Sequence, residues 1–210
     1  MRFVILLIGC LAALPVTAAD RAGDFTHYVL ALSWNASWCK AEGDARDAPQ
    51  CDPRHEYGWV LHGLWPQAER GWPEYCTTPQ RDPPRSLTNA QSDIFGSRGL
   101  AWHQWKKHGR CSALSARDYF GLSRDAYAMI QRPDLLRRLK DPVEVSPQVI
   151  EQAFLEANPD LRANQLAVTC RDGLIREVRI CLSKALVPRA CTLAVERGCR
   201  AEAATFPPMR

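Results

Sequence analysis

The sequence contains no Cys-x-x-Cys pair, no internal repeat, no low-complexity tract and no second-domain boundary. The first absence speaks against a zinc ribbon or a thioredoxin-like redox site, each of which needs two closely spaced thiols. The others leave no reason to divide the chain, and 210 residues are enough for one domain with a real core. Long apolar runs are also scarce. Residues 3–14 form the one such run, too short and too near the N-terminus for a membrane span. Charge of one sign is hardly in excess. The formal net charge of +4, or +3 without Arg2, permits an acidic polymer as partner but does not establish one.

What is present begins with that short run. Arg2, residues 3–14 and the small residues Val16-Thr17-Ala18 read as a secretory signal peptide over 1–19, leaving a mature domain over 20–210 without a membrane anchor. Cysteine usage points the same way. Of nine cysteines, Cys10 falls in the leader, and the even remainder implies four disulfides in an oxidising compartment. Spacing alone leaves on the order of 10² connectivities open.

Residues 25–34 alternate, with Tyr28, Leu30, Leu32 and Trp34 on one face, which predicts a buried strand. The polar stretch 35–53 reads as a surface loop closed by its own cysteines, Cys39 and Cys51. At 57–67, Trp59, Val60 and Leu61 are strand formers. His62 is expected at the strand end, beside Gly63, with Pro66 stopping the strand. Trp72 and Tyr75 follow in a loop, and residues 80–98 look irregular. Ser115 with Asp118 caps a helix to about Gln131, and Ser146-Pro147 starts another that ends at Pro159. Residues 165–170 and 174–182 read as a hairpin around Asp172-Gly173.

The densest chemistry lies at 102–111, Trp-His-Gln-Trp-Lys-Lys-His-Gly-Arg-Cys. At about 100° per residue from His103, Lys107 falls near 40°, Gln104 near 100° and His108 near 140°. Trp105 and Trp102 fall near 200° and 260°. An apolar side therefore anchors a helix whose polar side presents two imidazoles, an amide and an ammonium. Gly109 is expected to end that helix in the left-handed conformation. A zinc pair on a helix uses four-residue spacing, whereas His103 and His108 are five residues apart with no acidic third ligand nearby.

His62-Gly-Leu-Trp-Pro, followed some forty residues later by His-x-Trp-x-Lys-His108-Gly-x-Cys, resembles the two active-site segments of the ribonuclease T2 family. The resemblance runs from Tyr28 to about Cys199 and includes Tyr-Val-Leu-Ala-Leu-Ser-Trp, which looks like the bacterial branch. It implies an α+β fold with helices packed on an antiparallel sheet. The disulfides it implies are Cys39–Cys51, Cys76–Cys111, Cys170–Cys199 and Cys181–Cys191. The activity implied is metal-independent cleavage of single-stranded RNA through a 2′,3′-cyclic phosphate, with low base specificity, no cofactor and no membrane partner.

The resemblance assigns His108 as proton acceptor and His62 as donor, with Lys107 and Gln104 stabilising the pentavalent phosphate and His103 holding phosphate. Trp65 is the expected base-stacking residue, with Trp72 a second candidate. A secreted or periplasmic monomer is the matching expectation. Two positions depart from the pattern, which usually has glutamate at Gln104 and threonine at Arg110. An amide neither titrates nor carries charge. The alternative is therefore a secreted RNA-binding or inhibitory protein of this fold with reduced or lost catalysis.

Overall fold

Alternating apolar residues build a central sheet whose one face takes the helices and whose other face is left for chemistry. The computed structural model describes residues 20–210, so the expected leader over 1–19 lies outside the described residues. The strands are β1 (His27–Trp34), β2 (Trp59–Gln67), β3 (Val143–Val145), β4 (Leu166–Arg171), β5 (Leu174–Leu182) and β6 (Ala204–Phe206). Their order is β2-β1-β5-β6-β3, and β4 also pairs with β5. The ladders are antiparallel except for a single parallel pairing, Leu174 with Thr205.

Period-two alternation decides what each face holds. Tyr28, Leu30, Leu32 and Trp34 of β1 enter the main core with Val178, Ile180 and Leu182 of β5. Tyr119, Phe120, Ile150 and Phe154 from two helices close it. Trp34 stacks on Phe206 at 4.5 Å and donates its indole N–H to the Pro207 carbonyl at 2.8 Å, which ties down the C-terminal segment. On the opposite face Val29, Ala167, Cys181, Cys191 and Val195 form a small second cluster against Trp65.

The longer helices are α1 (Arg98–Lys107), α2 (Ala116–Met129) and α3 (Pro147–Ala157). Ser115 caps α2 by accepting from the Asp118 N–H at 3.2 Å, as the sequence predicts. Asp172 and Gly173 both adopt positive φ, 53° and 72°, which is the turn chemistry that joins β4 to β5. The four disulfides are Cys39–Cys51, Cys76–Cys111, Cys170–Cys199 and Cys181–Cys191, the pairing the resemblance implies. Among the described residues no helix is long and apolar enough to cross a membrane.

Three expectations from sequence fail here, the first being the surface loop over 35–53, which coils into short helical turns that bury Asn35, Ser37 and Cys39. Pro66 does not stop β2, which runs on to Gln67; β2 is an edge strand, where a missing N–H on the outer side costs no ladder bond. Residues 80–98 are not wholly irregular, because Arg85–Asn89 and Ser92–Phe95 form short helices beneath α1.

Candidate active site

A one-residue slip in the β1–β2 register creates the site. Ala31 pairs with Gly63 and Leu32 with Leu61, so His62 is the extra residue of a bulge. A bulged residue has no partner across the ladder and its side chain is re-aimed. His62 therefore lies inside β2, not at its end as expected. Gly63 is needed for close approach, since a Cβ there would overlap the Gln104 amide oxygen and the Trp65 indole.

Helix α1 brings up the second half. Ser97 caps it by accepting from the Leu100 N–H at 3.1 Å. Fully buried Trp105 anchors it and donates to the Asp82 carboxylate at 2.9 Å. Burying an aromatic of that size stabilises by on the order of 3 kcal/mol. Trp102 does not share this role. It is 39% exposed with the Lys106 ammonium 5.6 Å from its ring centre. The buried arc of the helix runs from Gln104 to Trp105, and Trp102 lies some 60° beyond it at about 100° per residue.

The end of α1 also differs from expectation. His108 still donates its N–H to the Gln104 carbonyl at 2.9 Å, and the chain then tightens into a 3₁₀ turn, Gly109–Ser112. The left-handed residue is Ala113, with φ 65°, and not Gly109. Glycine is required at 109 for space: a Cβ would sit 2.6 Å from the Trp105 ring and 2.9 Å from Tyr119. The Cys76–Cys111 bridge fastens this turn to the loop after β2. Beside it the Tyr75 N–H bonds the Lys107 carbonyl at 2.8 Å.

One cavity of about 300 Å³ gathers His62, Trp65, Trp72, His103, Gln104, Lys107 and His108. All seven residues singled out from sequence thus reach one place. Trp65 is the spacer between the histidines, with ring centres 5.1 Å from His62 and 5.3 Å from His108. Its indole N–H is held by the Gln104 side-chain oxygen at 2.7 Å, and the Arg179 guanidinium lies 5.4 Å from its ring centre. Trp72 is 56% exposed at the rim. Lys107 keeps its ammonium 3.3 Å from the Glu74 carboxylate. Arg110 is half-buried outside this lining.

A second cavity of about 350 Å³ shares His62 and His103 with the first. Its other walls include Ser33, Trp38, Pro49, Gln50 and Leu100. The two histidines therefore stand where two hollows meet.

The imidazoles sit in unlike surroundings. His108 is only 6% exposed, and burial, followed by the cations Lys107, His62 and His103, pushes its pKa down to about 3. Burial, then Lys107 and His62, also lowers His103. His62 has a carboxylate partner, because its Nδ1 bonds Glu177 Oε1. Burial alone would raise Glu177, but His62 and Arg179 together hold it well below the ordinary carboxylate range.

Glu177 and Arg179 were not found by sequence reasoning. The available signal was two opposite charges two residues apart on one face of β5, flanked on that face by Ile175 and Cys181. Among the described residues the one grouping able to offer three metal donors is Cys39, Asp44 and Cys51, whose sulfurs are already joined in a disulfide.

The fold and the site together define a disulfide-stapled α+β protein with a cleft of three imidazoles, one ammonium and two indoles. The model of the ribonuclease T2 family matches residues 25–191. A ribonuclease of Aeromonas hydrophila is 35% identical over 199 residues, covering 88% of this chain and 86% of that one. The chain belongs to the ribonuclease T2 family, an endoribonuclease family. Among solved structures, the RNase-related protein from Calystegia sepium superposes with a TM-score of 0.68 at 20% identity, covering 87% of this chain and 97% of that one. RNase NT in complex with 5′-AMP superposes with a TM-score of 0.64 at 22% identity, covering 89% and 100%.

Proposed function

We propose that the protein cleaves single-stranded RNA by metal-independent transesterification, giving a 2′,3′-cyclic phosphate with low base specificity. The observation that carries this is the unlike setting of two imidazoles across one cavity, His108 buried among cations and His62 bonded to a carboxylate. RNA brings its own nucleophile, the 2′-hydroxyl, so the site must remove one proton, supply another and stabilise the phosphorane. His108, kept neutral, accepts the 2′-hydroxyl proton as that oxygen bonds to phosphorus. His62, bonded through Nδ1 to Glu177, donates to the 5′-oxygen as its bond to phosphorus breaks. Lys107 and the Gln104 amide stabilise the equatorial oxygens, and His103 holds the phosphate.

The paired hollows on either side of His62 and His103 suit one nucleoside on each side of the scissile bond. Trp65 and Trp72 are the base contacts of the first hollow. Stacking is tolerant of base identity, since every base has a π-face. We further propose that residues 20–210 act as a single ribonuclease T2-like domain and as a monomer. Export to the periplasm or the medium, with removal of 1–19, accords with four disulfides, which persist in oxidising compartments.

The test is the pH dependence of kcat/KM, which reports the groups of the free enzyme. Because the pKa of His108 is depressed to about 3, its base form persists as pH falls below the ordinary histidine value of about 6.5. The acid limb is expected near pH 3. An acid limb at the ordinary value would remove His108 as the buried base.

Gln104 tunes this limb. Its side-chain oxygen accepts from Trp65, and a glutamate could do the same while adding negative charge close to His108. Gln104→Glu is expected to keep activity and move the acid limb to higher pH. Superimposable profiles for the two proteins would contradict that role.

A further inference from the structure

Glu177 is 8% exposed and sits on β5, 115 residues beyond the histidine it touches. Its position follows from register: Ser33 of β1 pairs with Glu177, and the bulge in the neighbouring strand turns His62 toward the same spot. Every oxygen of the carboxylate has a partner. Oε1 meets His62 Nδ1 and accepts from the Ser33 hydroxyl at 3.3 Å. Oε2 accepts from Arg179 Nε and Nη2 at 3.0 and 2.8 Å. The guanidinium is itself placed over Trp65. A carboxylate held at four points has one orientation to offer the imidazole.

We propose that Glu177 is the positioning residue of the general acid, fixing the His62 ring with Nδ1–H donated to the carboxylate and Nε2–H directed into the cavity. This rests on the proposed RNA cleavage. As the bond between phosphorus and the 5′-oxygen breaks, the Nε2 proton passes to that oxygen. The ring becomes neutral and keeps its proton on Nδ1, still donated as a hydrogen bond to Glu177. The 2′-oxygen forms the new bond to phosphorus, and its proton goes to His108. Protons and charge balance without a further reactant. Orientation of one imidazole nitrogen by a bond to the other is a general device of histidine chemistry. His108 has no such partner, for its Nδ1 is buried without a hydrogen bond. The titratable and charged groups facing His62 besides Glu177 are His103, His108, Lys107 and, through Glu177, Arg179. Only Glu177 among them is an anion.

The test compares leaving groups. A dinucleoside phosphate expels a 5′-alkoxide and needs an acid, whereas uridine 3′-(4-nitrophenyl phosphate) expels a phenolate that does not. In the oxidised full-length enzyme, the isosteric Glu177→Gln is expected to lose about 10²-fold in kcat on the dinucleotide and less than about fivefold on the aryl ester, with KM unchanged on both. Equal losses on the two substrates would overturn the proposal, because a merely structural residue affects both alike.

His62→Ala is run beside it. If that variant also spares the aryl ester, the acid reading stands and Glu177 is judged on its own. If His62→Ala loses both substrates equally, the acid assignment itself fails. Nitrogen-15 NMR of the wild-type enzyme gives a measurement independent of whether the variant folds. A His62 Nδ1–H shifted downfield and protected from exchange is expected, and an unprotonated Nδ1 would contradict the proposal.

Discussion

Replacing His108 with alanine lowers kcat for RNA cleavage by about 10³-fold or more and leaves KM within a few-fold, because general-base assistance is worth roughly 10² to 10⁴. The size of the effect follows from the setting. His108 is buried against Trp65, and no other imidazole in the cavity combines that burial with that position. The residues proposed to bind phosphate, His103, Lys107 and Gln104, are left in place by the substitution. Steady-state kinetics on a dinucleoside phosphate, with RNA binding measured separately, checks both parts. A loss below about tenfold would mean that another group takes the 2′-hydroxyl proton.

Removing the Cys76–Cys111 bridge with a Cys76→Ser, Cys111→Ser double variant costs about 2 to 5 kcal/mol of stability, as loss of a native disulfide usually does. Activity is expected to fall before the fold is lost. The bridge spans a sequence separation of 35 residues and joins the loop after β2 to the turn that follows His108. Without it, the Glu74–Lys107 ion pair and the Tyr75 N–H to Lys107 bond are left to hold the loop after β2 against the end of α1. A partly exposed ion pair contributes little in place of the bridge, typically under about 1 kcal/mol. Thermal unfolding and kcat at a temperature well below the transition give the two readings. Full activity in the double variant would remove the bridge from any role in the alignment of the histidines.

The half of the site carried by α1 was legible in the sequence because helical phase is local. His103, Gln104, Lys107 and His108 fall on one side by spacing alone, and Trp105 on the side that buries. Phase did not show how wide the buried arc is, so Trp102 was grouped with Trp105 although it lies at the surface. His62 was legible as a residue but not as a bulge, because a bulge is a relation between two strands and appears only in their register. Pro66 misled for a related reason: its effect depends on whether β2 is central or at the edge, which is a matter of topology.

Glu177 was the most distant omission. Its contact with His62 requires β1 to lie between β2 and β5 in one register, and no local pattern near residue 177 encodes that neighbour. The alternation of β5 did mark Glu177 and Arg179 as facing away from the core that holds Val178 and Ile180. Hydrophobic patterning therefore carried the sheet and its main core, while the polar network behind the site depended on long-range pairing.

The central claim is tested most directly by incubating a short mixed-sequence RNA with the oxidised protein lacking residues 1–19, in excess chelator, and identifying the product ends beside a His62→Ala control. The account predicts 2′,3′-cyclic phosphate ends from the wild-type protein and their disappearance in the control. A folded protein that binds RNA without cutting it would contradict the account and move the assignment to an RNA-binding member of the fold.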